Sequence, residues 1–408
     1  MSAFVMAEDH PPVMREETSG NGQQLGQAAA PSPGSPPPPS SPPGERTGAD
    51  LSRVGAGAAD WRSPPFHRQA FAAIDLGTNN CRLLIARPAA DGFVVIDAFS
   101  RVVRLGEGLA KTGRLSQEAM DRTLGALQVC ADKLKRRSVH LARSVATEAC
   151  RRADNGQEFI ERVRAETGIA LDIISAKEEA RLAVLGCHLM LEGGEGPAMV
   201  FDIGGGSTEM VLVEQVGGEI PRILDWQSVP WGVVSLTETC GAEPATDGER
   251  AARYTRMREL VRDSLAPFSV RVWEWLEAAA ARKAQLRLLG TSGTVTTLAS
   301  LHLELPQYDR RAVDGLIVDS AAMRSLSQRL AGMTPDERRA QPCIGRERSD
   351  LVVAGCAILE TILDLWPAEQ LGVTDRGIRE GILRGLISAG DAGEKSRAAL
   401  RLAKRDAL

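Results

Sequence analysis

A chain of 408 residues exceeds what one hydrophobic core usually serves, so two packed domains are expected. A formal net charge of −4, with acids and bases interspersed, excludes a global field for nucleic acid or a membrane surface and leaves any anion site to local geometry. Seven scattered cysteines without a C-x-x-C pair read as reduced thiols, no apolar run approaches the roughly 20 residues of a membrane helix, and the first residues do not read as a signal peptide, so a soluble cytoplasmic protein is expected.

The chain opens on a tail. The stretch "AAPSPGSPPPPSSPPG" at 29–44 has little to bury, so residues 1–68 are expected to be disordered, a solvated leader being favoured over a docking tail for a proline-reading partner. Order is expected from "QAFAAIDLGTNNCRLLIARPAADGFVVIDAFSRVVRL", three β-rich runs broken by turn residues, which predict an antiparallel meander. A helix follows in "LSQEAMDRTLGALQVCADKL", with Ser116 as its cap. Then "VHLARSVATEACRRADN" reads as strand, "NGQEFIERVRAETG" as helix, "IALDIIS" as strand and "AKEEARLAVLGCHLMLEGGEG" as helix, completing an α/β domain over 69–192. A second domain over 193–390 restarts with "AMVFDIGGGSTEMVLVE". It continues through "ILDWQSVPWGVVSL", a long helical region, "LRLLGTSGTVTTLASL", a helix at "SDLVVAGCAILETILDLW", a strand at "LGVTD" and a helix at "GIREGILRGLI". Residues 391–408 read as a tail or a short helix.

Two of these segments match each other. "AIDLGTNNCRLLI" and "VFDIGGGSTEMVL" share an apolar run, an Asp, a Gly-bearing turn and a second apolar run, so an internal duplication would set two hairpins facing each other across a cleft. Glycine bends let backbone N–H groups approach phosphate oxygens, and Thr78, Ser207 and Thr208 can add hydroxyl donors. Asp75, Asp202 and Glu209 carry the wrong charge for phosphate unless a cation bridges them, which Mg²⁺ does habitually with one or two carboxylates. The plain alternative is two ordinary turns, and the matching pair disfavours it.

The segments "DLGTNN", "DIGGGSTE" and "GTSGTVTTLA" resemble the glycine-rich phosphate segments of the acetate kinase, sugar kinase, Hsp70 and actin superfamily. More narrowly, "VATEACR", "IISAKEEARLAVLG", "ERSDLVVAGCAIL" and "VTDRGIREGIL" are similar to the Ppx/GppA phosphatases, the resemblance running from about 70 to 387. It implies an α/β fold of two ribonuclease-H-like, actin-like domains around an interdomain cleft, and a Mg²⁺-dependent reaction in which water removes a terminal phosphate. By the same resemblance Glu179 matches the catalytic glutamate that activates water, and Asp202 and Glu209 match acids that position metal and water. Asp75, Gly77, Thr78 and Asn79 match the first phosphate loop, Gly204, Gly205, Gly206, Ser207 and Thr208 the second, and Gly290, Ser292 and Gly293 the third segment. Arg151 and Arg348 match arginines near the phosphate, with surface salt bridging as the alternative reading. Asp375, Gly377 and Arg379 look family-like, yet a turn capping the last helix explains them as well. Glu148 reads either as a carboxylate facing the cleft or as a solvated residue after a strand, and stands outside the catalytic set. Asn80 departs from the family's usual serine, which exchanges a hydroxyl for a longer amide.

Two rival functions follow from the same residues. A kinase of the superfold would cradle ATP with the same loops, and a sensor would bind a nucleotide or polyphosphate without turnover. "KEEARL" and the presence of Glu179, Asp202 and Glu209 favour hydrolysis. The substrate is expected to be inorganic polyphosphate, with guanosine pentaphosphate as the alternative, since nothing outside the loops reads as a guanine pocket. Related proteins are often dimers, so a homodimer is an open expectation that no motif here supports.

Overall fold

The structure is a computed structural model and describes residues 66–90, 92–192, 196–215, 220–345 and 348–391. The tail reading of 1–68 lies outside the described residues up to 65, and the reading of the C-terminal end lies outside them from 392. Phe66–Arg68 form a 3-10 turn with the Phe66 ring edge-on to Phe71, so the packed body starts a few residues before 69.

The first sheet holds β1 (Ala70–Leu76), β2 (Asn80–Ala89), β3 (Gly92–Val102), β4 (Val139–Ala146) and β5 (Leu171–Ile173), in the order β3-β2-β1-β4-β5. The second holds β6 (Pro197–Ile203), β7 (Thr208–Glu214), β8 (Arg222–Val229), β9 (Arg287–Thr291), β10 (Ile317–Asp319) and β11 (Gln370–Thr374), in the order β10-β11-β9-β6-β7-β8. Apart from the extra edge strand β10, the orders are the same, with β1 standing for β6, β2 for β7, β3 for β8, β4 for β9 and β5 for β11. The first three strands of each sheet are antiparallel neighbours, and β4 and β9 run parallel to β1 and β6. The expected meander and duplication are therefore both present.

Helices cover the sheets. Along the first half run α1 (Leu109–Thr112), α2 (Gln117–Arg136), α3 (Glu148–Arg152), α4 (Gly156–Thr167) and α5 (Ala176–Cys187). Along the second run α6 (Val233–Thr239), α7 (Asp247–Ala281), α8 (Gly293–His302), α9 (Arg310–Val313), α10 (Ser320–Gly332), α11 (Pro335–Arg339), α12 (Val352–Leu365) and α13 over 378–391. Ser116 caps α2 as expected, accepting from the Ala119 N–H. The strand expected over 139–155 is shorter. Its parallel partner β1 ends at Leu76, whose carbonyl takes the Thr147 N–H, and the chain then closes a helical turn through Arg151 N–H to Thr147 O. Among the described residues no helix is long and apolar enough to cross a membrane, and all seven cysteines are unpaired.

Strands covered on both faces read as continuous apolar runs. In β1 and in β6 every residue is buried but one, and that one is Asp75 in the first and Asp202 in the second. The outer face of the first sheet packs on α2 and α4 through Leu127, Phe159 and Val163, and that of the second on α7, α8 and α12 through Phe268, Leu298 and Ile358. The inner faces are closed by α5 and α13. Ile378, Ile382 and Leu383 of α13 cover Phe71, Leu84 and Val145 of the first sheet, while Ala180, Val184 and Cys187 of α5 cover Val200 and Val211 of the second. The two helices lie against each other at glycines. A Cβ at Gly186 would overlap the Gly377 carbonyl, and one at Gly381 would overlap that of Leu182.

Candidate active site

The two matching hairpins end in the same turn. Gly77 N–H donates to Asn80 O at 2.9 Å and Gly204 N–H to Ser207 O at 3.0 Å. The strand register places Asp75 opposite Arg82 and Asp202 opposite Glu209, so the position seven residues after each Asp carries a base in one hairpin and an acid in the other. The hairpins touch across the cleft: a Cβ at Gly206 would stand 2.5 Å from Thr78 Oγ1 and 2.9 Å from Glu148 Cγ, so only glycine permits this approach. The third segment enters from β9, where Ser292 takes φ 87° and its hydroxyl donates to Ile203 O at 2.7 Å, turning the first residues of α8 towards the cavity. A helix of that polarity favours an anion at its start.

These elements enclose a cavity of about 130 Å³. Asp75, Gly77, Thr78, Asn79, Glu179, Asp202, Gly204, Gly205, Gly206, Ser207, Glu209, Ser292, Gly293 and Arg348, all expected from the sequence, line it together with Asn80. Thr78 Oγ1 is buried with no partner among the described residues, and the Gly205 and Gly206 N–H groups reach no described acceptor. Such donors suit phosphate oxygens.

Glu179 and its neighbour part company. Ser175 caps α5, accepting from the Glu178 N–H, and Glu178 then pairs outward with Arg143 and Arg181, the pattern of an ordinary helix start. Glu179 turns inward and is 7% exposed. Arg151 holds it there: Nη1 donates to Glu179 Oε2 at 3.1 Å and to Ile174 O at 2.8 Å, while Nε and Nη2 donate to Glu148 Oε2 at 3.1 and 2.5 Å. Burial, and next the charge of Glu209, pushes the Glu179 carboxyl well above the usual carboxylate range, with Arg151 opposing. Burial and then Asp202 lift Glu209 to about 7, against hydrogen bonds from Ser207 at 2.7 Å and Ser228 at 2.9 Å. Burial lifts Asp202 to about 6 and raises Asp75, while Arg82 and Arg379 oppose both shifts. Four carboxyls with raised proton affinity around one small cavity are short of positive charge.

Among the described residues no cluster of three or more His, Cys, Asp or Glu is arranged to hold a metal by itself. A Mg²⁺ ion does not require one, since it takes one or two carboxylates and fills its remaining positions with water and substrate phosphate. The Asp202 carboxyl faces the cavity, accepts no hydrogen bond from a described residue and stands opposite Glu209 in the strand register, so this pair fits such an ion.

Three expected residues stand outside the cavity lining. Arg151 spends its guanidinium on two carboxylates and a carbonyl, so it holds Glu179 in place and does not line the phosphate cavity. Thr208 turns its hydroxyl to Trp231 O, and Gly290 makes room for the Phe201 ring, which a Cβ would approach to 2.7 Å. Asp375 pairs with Arg310 at 3.1 Å and the Gly377 N–H donates to Glu380 at 3.0 Å, which is the helix-turn reading. Glu148 is 8% exposed and lines the cleft, which rules out the solvated alternative. Arg82, Thr147, Thr294 and Thr297, which the sequence motifs do not point to, also line the cavity. The shared spacing of seven residues was the available signal for Arg82.

The model of the Ppx/GppA phosphatase family matches residues 84–389. Exopolyphosphatase 2 of Mycobacterium tuberculosis is 33% identical to this chain, across 76% of it and 96% of the relative. Among solved structures, a Ppx/GppA family member from Aquifex aeolicus is 28% identical with a TM-score of 0.63, covering 79% of this chain and 98% of its own. An exopolyphosphatase from Cytophaga hutchinsonii is 25% identical with a TM-score of 0.69, with the same shares of 79% and 98%. The twice-repeated sheet, the glycine loops and the matched span of sequence agree: this chain belongs to the Ppx/GppA phosphatase family, as an α/β protein of two actin-like halves that hydrolyses phosphoanhydride bonds.

Proposed function

We propose that the protein is a Mg²⁺-dependent exopolyphosphatase that releases terminal orthophosphate from inorganic polyphosphate, with Glu179 as the base that activates water. The observation that carries the reading is the convergence of Glu179, Asp202 and Glu209, drawn from two halves of the chain, on one cavity lined by glycine loops. Phosphoryl transfer asks mainly for alignment and charge neutralisation. The Thr78 hydroxyl and the Gly205 and Gly206 amides would hold the terminal phosphate, and Asp202 and Glu209 would hold the metal. When bound there, Mg²⁺ neutralises charge on the phosphate oxygens. Glu179 then takes a proton from water at its carboxylate, a task for which a proton affinity raised by burial suits it, while Arg151 fixes the carboxylate's direction. Polyphosphate is favoured over guanosine pentaphosphate because the similar Mycobacterium tuberculosis and Cytophaga hutchinsonii proteins bear the exopolyphosphatase name.

The test is phosphate release by the purified protein with Mg²⁺ from long-chain polyphosphate and from guanosine pentaphosphate, with Glu179→Gln alongside. Turnover of polyphosphate that falls at least about a hundredfold in the variant is expected. A preference for the nucleotide would move the substrate, and binding without turnover of either would remove the reading.

A further inference from the structure

Two openings flank the catalytic cavity. One shares Thr78, Glu148 and Gly206 with it, measures about 10 Å³ and adds the carboxylate of Glu238, so it is both too small and too acidic for a polyanion. The other shares Asn80 and Arg348 with the cavity and measures about 520 Å³. Its walls come from both halves of the chain: Ser100 and Arg101 from β3, Ile344 and Gly345 from the loop before α12. No carboxylate appears among the described residues that line it.

Its polar groups are donors. Arg101 lines the groove, is exposed and makes no hydrogen bond or ion pair with a described residue; its guanidinium lies 5.2 Å from the Phe99 ring, a contact that leaves its charge unneutralised. Asn80 accepts from Asn79 through Oδ1 at 3.1 Å, which leaves its amide N–H groups for the groove. Arg348 lines both spaces and so stands where one passes into the other. The amide at position 80 thereby lines both cavity and groove.

We propose that this groove carries the distal phosphates of an extended phosphate chain whose terminal phosphate occupies the catalytic cavity, with Arg101 as the residue that favours long chains. The inference rests on the proposed cleavage of polyphosphate and adds where the remainder of the polymer lies. A chain of phosphates is a flexible polyanion with condensed counterions, so each guanidinium that meets it releases an ion and leaves a mark in the salt dependence.

The experiment compares the full chain with Arg101→Gln and with Ser100→Asp, which sets a carboxylate in the groove. Turnover of long-chain polyphosphate, tripolyphosphate and guanosine pentaphosphate is measured over a salt series, and calorimetric binding of long-chain polyphosphate beside it. For Arg101→Gln the ratio of kcat/KM on the long chain to that on tripolyphosphate falls about fivefold. The slope of log KM against log salt for the long chain falls by about one. Ser100→Asp moves the ratio in the same direction. Binding of the long chain that weakens in Arg101→Gln, in a wild-type protein that cleaves none of the three, would uphold the groove and remove the polyphosphatase reading. Turnover of polyphosphate with neither ratio nor slope moved would remove the groove and keep that reading. A loss confined to guanosine pentaphosphate would also overturn it, assigning the surface to the nucleotide end.

Discussion

Replacing Asp202 by Asn should make the metal-free protein more stable while stopping its chemistry. The carboxyl has an ordinary value of 3.8 and burial lifts it to about 6 in the folded chain. A group raised in this way keeps its proton longer when folded, so between about pH 4 and 6 the folded state binds more protons than the unfolded one. Stability therefore falls as pH rises through that window, and the loss is complete above it. One pH unit corresponds to about 1.4 kcal/mol, so at pH 8 the charged Asp202 costs the ligand-free fold up to roughly 3 kcal/mol. Asn keeps the shape and removes the charge. In urea denaturation with EDTA, Asp202→Asn is expected to raise the midpoint most at pH 8, slightly less at pH 6 and only a little near pH 4, while phosphate release drops at least about a hundredfold. A midpoint at pH 8 equal to or below that of the wild type, or a gain independent of pH, would refute the claim that Asp202 is held against its own electrostatics.

Mg²⁺ should raise the melting temperature more at pH 8 than at pH 5, because Asp202 at about 6 and Glu209 at about 7 must lose protons to bind it; equal shifts at both pH values would contradict their role as ligands. Glu148→Gln removes a charge-assisted partner of Arg151, so kcat should fall about tenfold with KM little moved, and a change in KM alone would refute its role in holding Arg151. Gly381→Ala forces a methyl onto the Leu182 carbonyl and should cost about 1–3 kcal/mol in denaturant titration; an unchanged midpoint would mean that α5 and α13 part easily.

Much of this was legible in the sequence because the cleft is built from turns, and turns demand particular residues. "DLGTNN" and "DIGGGSTE" announce their bends and their acids, and the repeat says that the bends belong together. Glu179 was legible only through the family resemblance, since Glu178 beside it satisfies every rule for a helix start and does behave as one. The resemblance puts Arg151 near the phosphate, whereas two neighbouring carboxylates claim its guanidinium, and contacts of that kind between α3 and α5 leave no periodic trace. The helix α3 is hidden inside an apparent strand because its five residues are too few to show a period. The groove joins residues 100 and 101 to 344 and 345, a pairing that only the closed fold brings about. Likewise, the apolar stripe of α13 predicts a buried helix without saying which sheet it covers.

That last helix carries a consequence for biogenesis. Phe71, Leu84 and Val145 are synthesised early, yet their inner face waits for Ile378, Ile382 and Leu383. As the chain leaves the ribosome from its N-terminus, the half made first stays unfinished and sticky until the helix at 378 has emerged. The two halves should therefore mature together and late, and the nascent chain should engage a chaperone over the whole interval between them.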